Sequence, residues 1–501
     1  MGADVSSICE PRNPRILFMN LTELFDLTLK GRAAETALEF RGREWTFGEL
    51  EASSNRLAHH LKASGFQVGD RLGVYLANCV ELIDAYLAAI KLGLIFTPIN
   101  ALYREWEIGH ILADAEPRTV LTNHSLSSHL PSGQDVLLVE ELEHRLDEQP
   151  SERPTCPATG DTIAALVYTS GTTGQPKGAA ITHNNLAINA LILNTCWLLA
   201  PSDRMLIALP LFHINGLANG LHTWLTVGFR VRLLERFRKE TVLEDFTDFR
   251  PTFFFGVPTM YVRLLDAPAE VAGAIGEGMR LFVSGSAPLP SDVIERFRRL
   301  YGHTILERYG MTEALGIMAN PYSGERRAGT VGTPLPGVSI RLSEGEHGEV
   351  LVKAPTLFAG YWRDDESAKA TFTSDGYFKT GDVAERADDG YYTLQGRKSD
   401  LIISGGFNVN PREIEALLKE QPGVAEAVVV GEADPVRGER PVAFLLSDPN
   451  VRVDVEVLRA ACQENLASYK TPRDFRFVEK IPRNALGKTQ RHRLSAIDGS
   501  P

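Results

Sequence analysis

The chain has 501 residues, 44% hydrophobic and 23% charged, the balance of an ordinary globular protein too long for one hydrophobic core. Its net charge of −12 argues against a broad basic footprint for nucleic acid, although a single pocket can still gather cations around an anionic ligand. The five cysteines (Cys9, Cys79, Cys156, Cys196 and Cys462) are scattered and odd in number, and the twelve histidines lack metal-ligand spacing, which argues against a disulfide framework and a zinc motif.

The start of the chain shows no basic segment followed by an apolar one, so no secretory signal is expected. Met1 to Ser6 fits the loose myristoylation pattern, but no polybasic patch supplies a second anchor. Thr46-Phe47-Gly48-Glu49 has the form of a capping box opening a helix. Arg71–Leu76 reads as a strand, Glu81–Leu92 as a helix stopped by Gly93, Ile95–Ile99 as a strand and Glu105–Ala113 as a helix. Leu186–Ala200 is apolar but broken by Asn189 and Asn194, and no run of about 18 apolar residues exists to cross a bilayer, so a buried helix is expected there. Phe253–Phe255 and Leu281–Val283 read as strands buried on both faces. This alternation implies βαβ units and largely parallel sheets. A break falls at Gly396–Asp400, after the aromatic segment Tyr391–Gln395. Beyond it come helices at Pro411–Lys419 and Val455–Leu466, and strands at Ala425–Val430, Val442–Leu446 and Phe475–Val478. The expected architecture is a large α/β body of mixed parallel sheets with flanking helices (residues 1–398) carrying a small, mobile α+β lid (399–501), in a cytoplasmic protein with no membrane insertion.

The most informative stretch is Tyr168-Thr169-Ser170-Gly171-Thr172-Thr173-Gly174-Gln175-Pro176-Lys177-Gly178, fed by the apolar run Thr162–Val167. Glycines let backbone N–H groups turn inward and the hydroxyls add short donors, a composition suited to wrapping a polyphosphate. The spacing of Gly171, Gly174 and Lys177 does not satisfy the Walker A pattern. A plain Gly/Ser/Thr connection is the alternative.

This string resembles the phosphate loop of the adenylate-forming superfamily of acyl-CoA synthetases, adenylation domains and luciferases. Further motifs follow in that family's order: Pro210–Gly216, Ser284–Leu289, Glu307–Glu313, Tyr377–Asp382, Gly396-Arg397 and Pro482–Lys488. The resemblance implies that a carboxylate is joined to the α-phosphate of ATP, releasing pyrophosphate, and that the acyl-adenylate is then passed to a thiol.

On the same resemblance, Thr169, Ser170, Gly171, Thr172, Thr173, Gly174 and Lys177 would hold phosphate, and Lys488 would be the mobile cation of adenylation; a solvated lysine is the alternative. Thr312 would donate to the α-phosphate and Glu313 would ligate Mg²⁺, with helix capping as the other reading of Glu313. Gly285, Ser286, Ala287, Pro288, Tyr309, Gly310 and Met311 would surround adenine, and Asp382 and Arg397 the ribose; Tyr309 could also be a core tyrosine and Asp382 a turn aspartate. Ser404, Gly405 and Gly406 would approach coenzyme A, or form a plain turn. Ser399 replaces the Asp or Lys usual at the hinge.

Within the family the chain is most similar to malonyl-CoA synthetases, in Phe255–Tyr261, Arg280–Leu289, Glu307–Glu313 and Gly329–Gly337. A dicarboxylate needs a cation for its second carboxylate. The resemblance assigns Arg236 and Arg280 to that task, Arg236 also belonging to a generic basic run, with His213 and Ser286 completing the acyl site and His213 taking part in catalysis. Asn215 stands where that group tends to carry histidine, and Ala314 replaces a usual threonine. The expected substrates are ATP, coenzyme A and malonate or methylmalonate. A medium-chain or aromatic monocarboxylate, a carrier-protein acceptor, a luciferase-like oxygenase and a degenerate scaffold are the rivals. Monomer and homodimer stay open.

Overall fold

A computed structural model describes residues 19–169, 176–397, 402–448, 451, 453–482 and 491–494. The capping box is present: the Glu49 N–H donates to the Thr46 hydroxyl and the Thr46 N–H donates to the Glu49 carboxylate, opening the helix Phe47–Ala63. Arg71–Tyr75 pairs in parallel with both Ile95–Ile99 and Thr119–Thr122. The helix Val80–Leu92 crosses between the first two and ends where Gly93 takes a left-handed φ of 69°.

These strands belong to a seven-stranded sheet that also holds the hairpin Ile163–Thr169 and Lys177–Thr182. A nine-stranded sheet places Arg204–Ile207, Phe253–Gly256, Leu281–Ser284 and Leu306–Met311 side by side, all parallel. The helix His183–Cys196 is the expected buried helix, capped by Thr182 rather than starting at Leu186. One apolar core runs from Leu21 to Tyr392 and includes Phe253, Phe254, Phe255 and Phe282. Phe282 meets Tyr261, Phe297 and Tyr301 edge-on, so this part of the core is built by aromatic packing.

A third sheet, Ser339–Glu344, His347–Lys353, Phe378–Arg386 and Tyr392–Arg397, is antiparallel throughout, a departure from the expected parallel rhythm. Its first two strands and its last two are each joined by a short connection, which permits only antiparallel neighbours, while the middle pair is joined by a longer segment carrying the helix Asp365–Ala370. After it a second core forms around Ile402, Val409, Ile414, Leu417, Val429, Leu445, Leu458 and Cys462. The helices Pro411–Lys419 and Val455–Asn465 belong to this unit, as do Val424–Asp434, Gly438–Ser447 and Asp474–Phe477.

The two units meet at a polar seam. Lys470 Nζ lies 2.7 Å from Glu107 of the body and 2.8 Å from Glu413 of the lid, and 4.4 Å from the Tyr103 ring centre. Asn100 donates to the Tyr469 hydroxyl, and Tyr469 stacks on Phe407. Cys79, Cys156, Cys196 and Cys462 are free thiols. Among the described residues no helix is long and apolar enough to cross a membrane.

Candidate active site

The residues that flank the expected phosphate loop face each other: Thr169 and Lys177 are register partners across the hairpin. Ser170, Gly171, Thr172, Thr173 and Gly174 lie outside the described residues. Lys177 Nζ sits 2.9 Å from Asp364 and 5.4 Å from the centre of the Tyr361 ring. The Thr169 hydroxyl (3.4 Å) and the Tyr361 hydroxyl (3.0 Å) both donate to Glu313 Oε1. Glu313 therefore stands beside Thr169, with buried Thr312 next to it in the chain. The segment Thr312–Ala314 joins the antiparallel strands Leu306–Met311 and Leu315–Ala319, so Glu313 is not a helix cap. The turn is tight: a Cβ on Gly310 would lie 2.1 Å from the Leu315 carbonyl oxygen, and Leu315 itself has φ +58°.

Two of the residues expected at the nucleoside also meet. The Tyr309 hydroxyl donates to Asp382 Oδ2 at 2.6 Å, and both residues are buried. Asp382 lies within the strand Phe378–Arg386, not in a turn, and its backbone is paired with that of Arg397. The chain leaving Leu281–Ser284 turns through Gly285 and Ser286, where Ser286 holds a left-handed φ of +75°; Ala287 and Pro288 follow at the surface of the turn. A non-glycine residue in that region stores strain, a feature that clusters at ligand sites.

At the expected acyl site, the His213 ring accepts from the Asn215 N–H, and Asn215 begins a π-helical segment, Asn215–Leu221. The Asn215 amide donates to the Ser286 hydroxyl, and its oxygen accepts from the Arg308 guanidinium and from Asn219. Arg308 lies against the Phe255 ring at 5.0 Å. Burial pulls the Arg308 pKa down to about 10, while burial and the Arg308 charge pull that of His213 down to about 4, leaving His213 a neutral imidazole at physiological pH.

Arg280 is a correction. It precedes the strand Leu281–Ser284, at the end opposite to Gly285 and Ser286. Its Nε and Nη2 donate to the two oxygens of Asp203 at 2.6 and 2.5 Å, and Nη1 donates to the Trp197 carbonyl at 2.9 Å. The guanidinium is committed to the fold at the far end of the sheet. Arg236 is exposed on the segment after Arg230–Leu233.

Gly405 (φ +64°) and Gly406 (φ +84°) turn the lid chain against Thr259 and Val257 of the body. Ser404 is fully buried, and its hydroxyl oxygen has no hydrogen-bond partner among the described residues. Lys488 and Ser399 lie outside the described residues. Arg308, Asn219 and Tyr361 were not singled out by motif reading. Arg308 lies inside the string Glu307–Glu313, but nothing local distinguishes it from its charged neighbour Glu307.

For Mg²⁺, the hard oxygens of Glu313 and Thr169 are of the right kind, since this ion takes few protein carboxylates and completes its shell with phosphate oxygens and water. Among the described residues no group of three or more His, Cys, Asp or Glu side chains could hold a metal alone.

The AMP-binding enzyme family model matches residues 25–362, and the AMP-binding enzyme C-terminal domain matches 413–488. The chain belongs to the AMP-binding enzyme family. It is 35% identical to the sulfoacetate–CoA ligase of Cupriavidus necator over 481 residues, covering 90% of this chain and 92% of that protein. It is 31% identical to the long-chain-fatty-acid–CoA ligase of Bacillus subtilis over 513 residues, covering 92% and 91%. A malonyl-CoA ligase solved as a ternary product complex with methylmalonyl-CoA and AMP is similar at a TM-score of 0.81 and 38% identity, covering 90% of this chain and 97% of that one. Within the family the chain is thus an acid–CoA ligase of the AMP-forming type, using ATP and coenzyme A.

Proposed function

We propose that the acid is malonate or methylmalonate and that the chain turns over in two half-reactions on one face. The observation that carries this reading is convergence. The strand Leu306–Met311 and the turn after it link the three groups: Glu313 accepts from Thr169, Tyr309 donates to Asp382, and Arg308 donates to Asn215, which in turn donates to Ser286. The likeness to a malonyl-CoA ligase that holds methylmalonyl-CoA and AMP supports the choice of acid.

In the first half-reaction a carboxylate oxygen attacks the α-phosphorus, the bond to the β-phosphate breaks and pyrophosphate leaves. Carboxylate and triphosphate repel one another, so the site must supply donors and cations where charge accumulates. Thr169 to Gly174 and Lys177 serve the β- and γ-phosphates, Thr312 donates to the α-phosphate, and Lys488 bridges carboxylate and α-phosphate. Mg²⁺ held by Glu313 would neutralise phosphate charge. Gly285 to Pro288, Gly310 and Met311 line adenine, and Asp382 with Arg397 orients the ribose. In the second half-reaction the coenzyme A thiolate attacks the acyl carbonyl and AMP departs. The Gly405-Gly406 turn against Val257 and Thr259 suits this step, with the division between body and lid near residue 398.

The test is pyrophosphate release with coenzyme A over malonate, methylmalonate, acetate, octanoate and benzoate. Malonate or methylmalonate should exceed the others in kcat/KM by at least tenfold, roughly what one well-placed contact provides. Preference for octanoate or benzoate would replace this substrate with a monocarboxylate.

A further inference from the structure

The helix Glu105–Ala115 has no part in the chemistry described so far, yet two of its side chains reach the hairpin that carries Thr169 and Lys177. His110 and Asp114, four positions apart, lie on one face of that helix. His110 Nε2 is 2.9 Å from the Pro176 carbonyl oxygen, and the Tyr168 hydroxyl donates to Asp114 Oδ2 at 2.6 Å. Each contact falls on the residue directly before an expected phosphate ligand: Pro176 before Lys177, and Tyr168 before Thr169.

Chemistry fixes which group donates. A carbonyl only accepts, so Nε2 carries the imidazole proton. Proline has no N–H, and Pro176 lies beyond Thr169–Lys177, the last register pair of the hairpin among the described residues, so the sheet ladder does not hold it. On the other arm, burial and the Asp114 carboxylate push the Tyr168 pKa up, and its hydroxyl stays a donor. The helix itself is firmly seated. Ile108, Ile111 and Leu112 bury against Tyr75, Ile99 and Val120. Arg71 donates to the carbonyls of Ala115 and Glu116 at 2.7 and 2.8 Å, and Lys470 holds Glu107 in the first turn.

We infer that His110 is a positioning residue for ATP: by holding the Pro176 carbonyl it fixes the backbone from which Lys177 reaches the β- and γ-phosphates, as Asp114 fixes Thr169 through Tyr168. This rests on the reading of Thr169 and Lys177 as phosphate ligands. AMP lacks those two phosphates, so its binding does not draw on the brace.

The experiment measures ATP and AMP binding by isothermal titration calorimetry, with Mg²⁺ and without acid, in the full chain and its variants. His110→Phe keeps a ring and removes the donor; it should weaken ATP about tenfold and AMP by less than about twofold. His110→Gln returns an N–H donor and should recover most of that loss. Tyr168→Phe should show the same ATP-selective loss, and it carries the test if His110→Phe fails to fold. Lys177→Met removes the phosphate ligand itself and should weaken ATP by at least about tenfold. ATP affinity unchanged in the folded brace variants, with Lys177→Met impaired, overturns the inference and leaves the reading of Lys177 standing. Equal weakening of ATP and AMP also overturns it, because a general distortion of the fold would not distinguish the two nucleotides. Lys177→Met that binds ATP like wild type overturns that reading, and the inference with it.

Discussion

Arg280 and Arg308 stand on, or directly before, neighbouring parallel strands, and of the two only Arg280 meets a carboxylate among the described residues. Arg280 is paired bidentately with an aspartate whose side chain is 5% exposed. Arg280→Ala would strand Asp203 and is expected to cost on the order of 3 kcal/mol in denaturant unfolding. The malonate-to-butyrate ratio of the folded fraction should not change. A selective loss of malonate use in that variant would return Arg280 to the acyl site. His213 shows the complementary effect, a titratable group silenced by its setting. With its pKa pulled down to about 4, it should contribute no inflection to kcat/KM near pH 6.5, a prediction that a pH–rate profile of wild type against His213→Gln checks.

At the scale of elements, the Gly405-Gly406 turn and the buried histidines carry distinct consequences. Gly406 has φ +84°, and a Cβ there would approach the Val257 Cβ to 3.2 Å. Gly406→Ala should therefore shift the turn against the body and slow thioester formation from supplied acyl-adenylate by roughly 10- to 100-fold, while leaving pyrophosphate exchange near wild type. Equal losses in both assays would place the turn outside the second half-reaction. His183 and His222 sit on helices of the body core, their pKa values pushed by burial to about 4 and about 3. In the unfolded chain both titrate near 6.5. The unfolded state thus binds more protons below that pH, and stability present above it is lost as pH falls toward 4 and 3. Urea midpoints should decline over this window, and His222→Phe should flatten the decline.

Over the whole molecule, lid and body are joined by an ammonium shared between two carboxylates, Glu107 from the body and Glu413 from the lid, alongside the Asn100–Tyr469 hydrogen bond. Burial pushes Glu107 up to about 7 against the opposing pull of Lys470, with Glu413 adding to the rise. A carboxyl whose pKa is higher docked than undocked binds its proton more tightly when docked. The seam is therefore firmest below about pH 4.5 and weakens as pH rises through about 7. Glu107→Gln, uncharged at every pH, should remove that dependence. Energy transfer between dyes on the exposed residues Leu27 and Val457, read from pH 5 to 8, checks both statements. An identical pH response in the variant would show that the seam does not sense Glu107.

Periodicity and punctuation made much of this protein readable in its sequence. The capping box at Thr46, the glycine stop after Leu92, the doubly buried phenylalanine strands and the lid helices follow from local propensity and apolar spacing, which act over a few residues. The motifs likewise announced Thr169, Glu313, Tyr309 and Asp382, because each is embedded in a short string with its own turn chemistry. What each arginine faces was not written locally. Arg280 and Asp203 are 77 positions apart, as Asn215 and Arg308 are 93, and Glu107 and Lys470 are 363. Whether a buried charge is neutralised, met by a neutral amide or shared across a seam depends on which distant side chain the folded sheets bring within about 3 Å of it, and only the tertiary structure decides that.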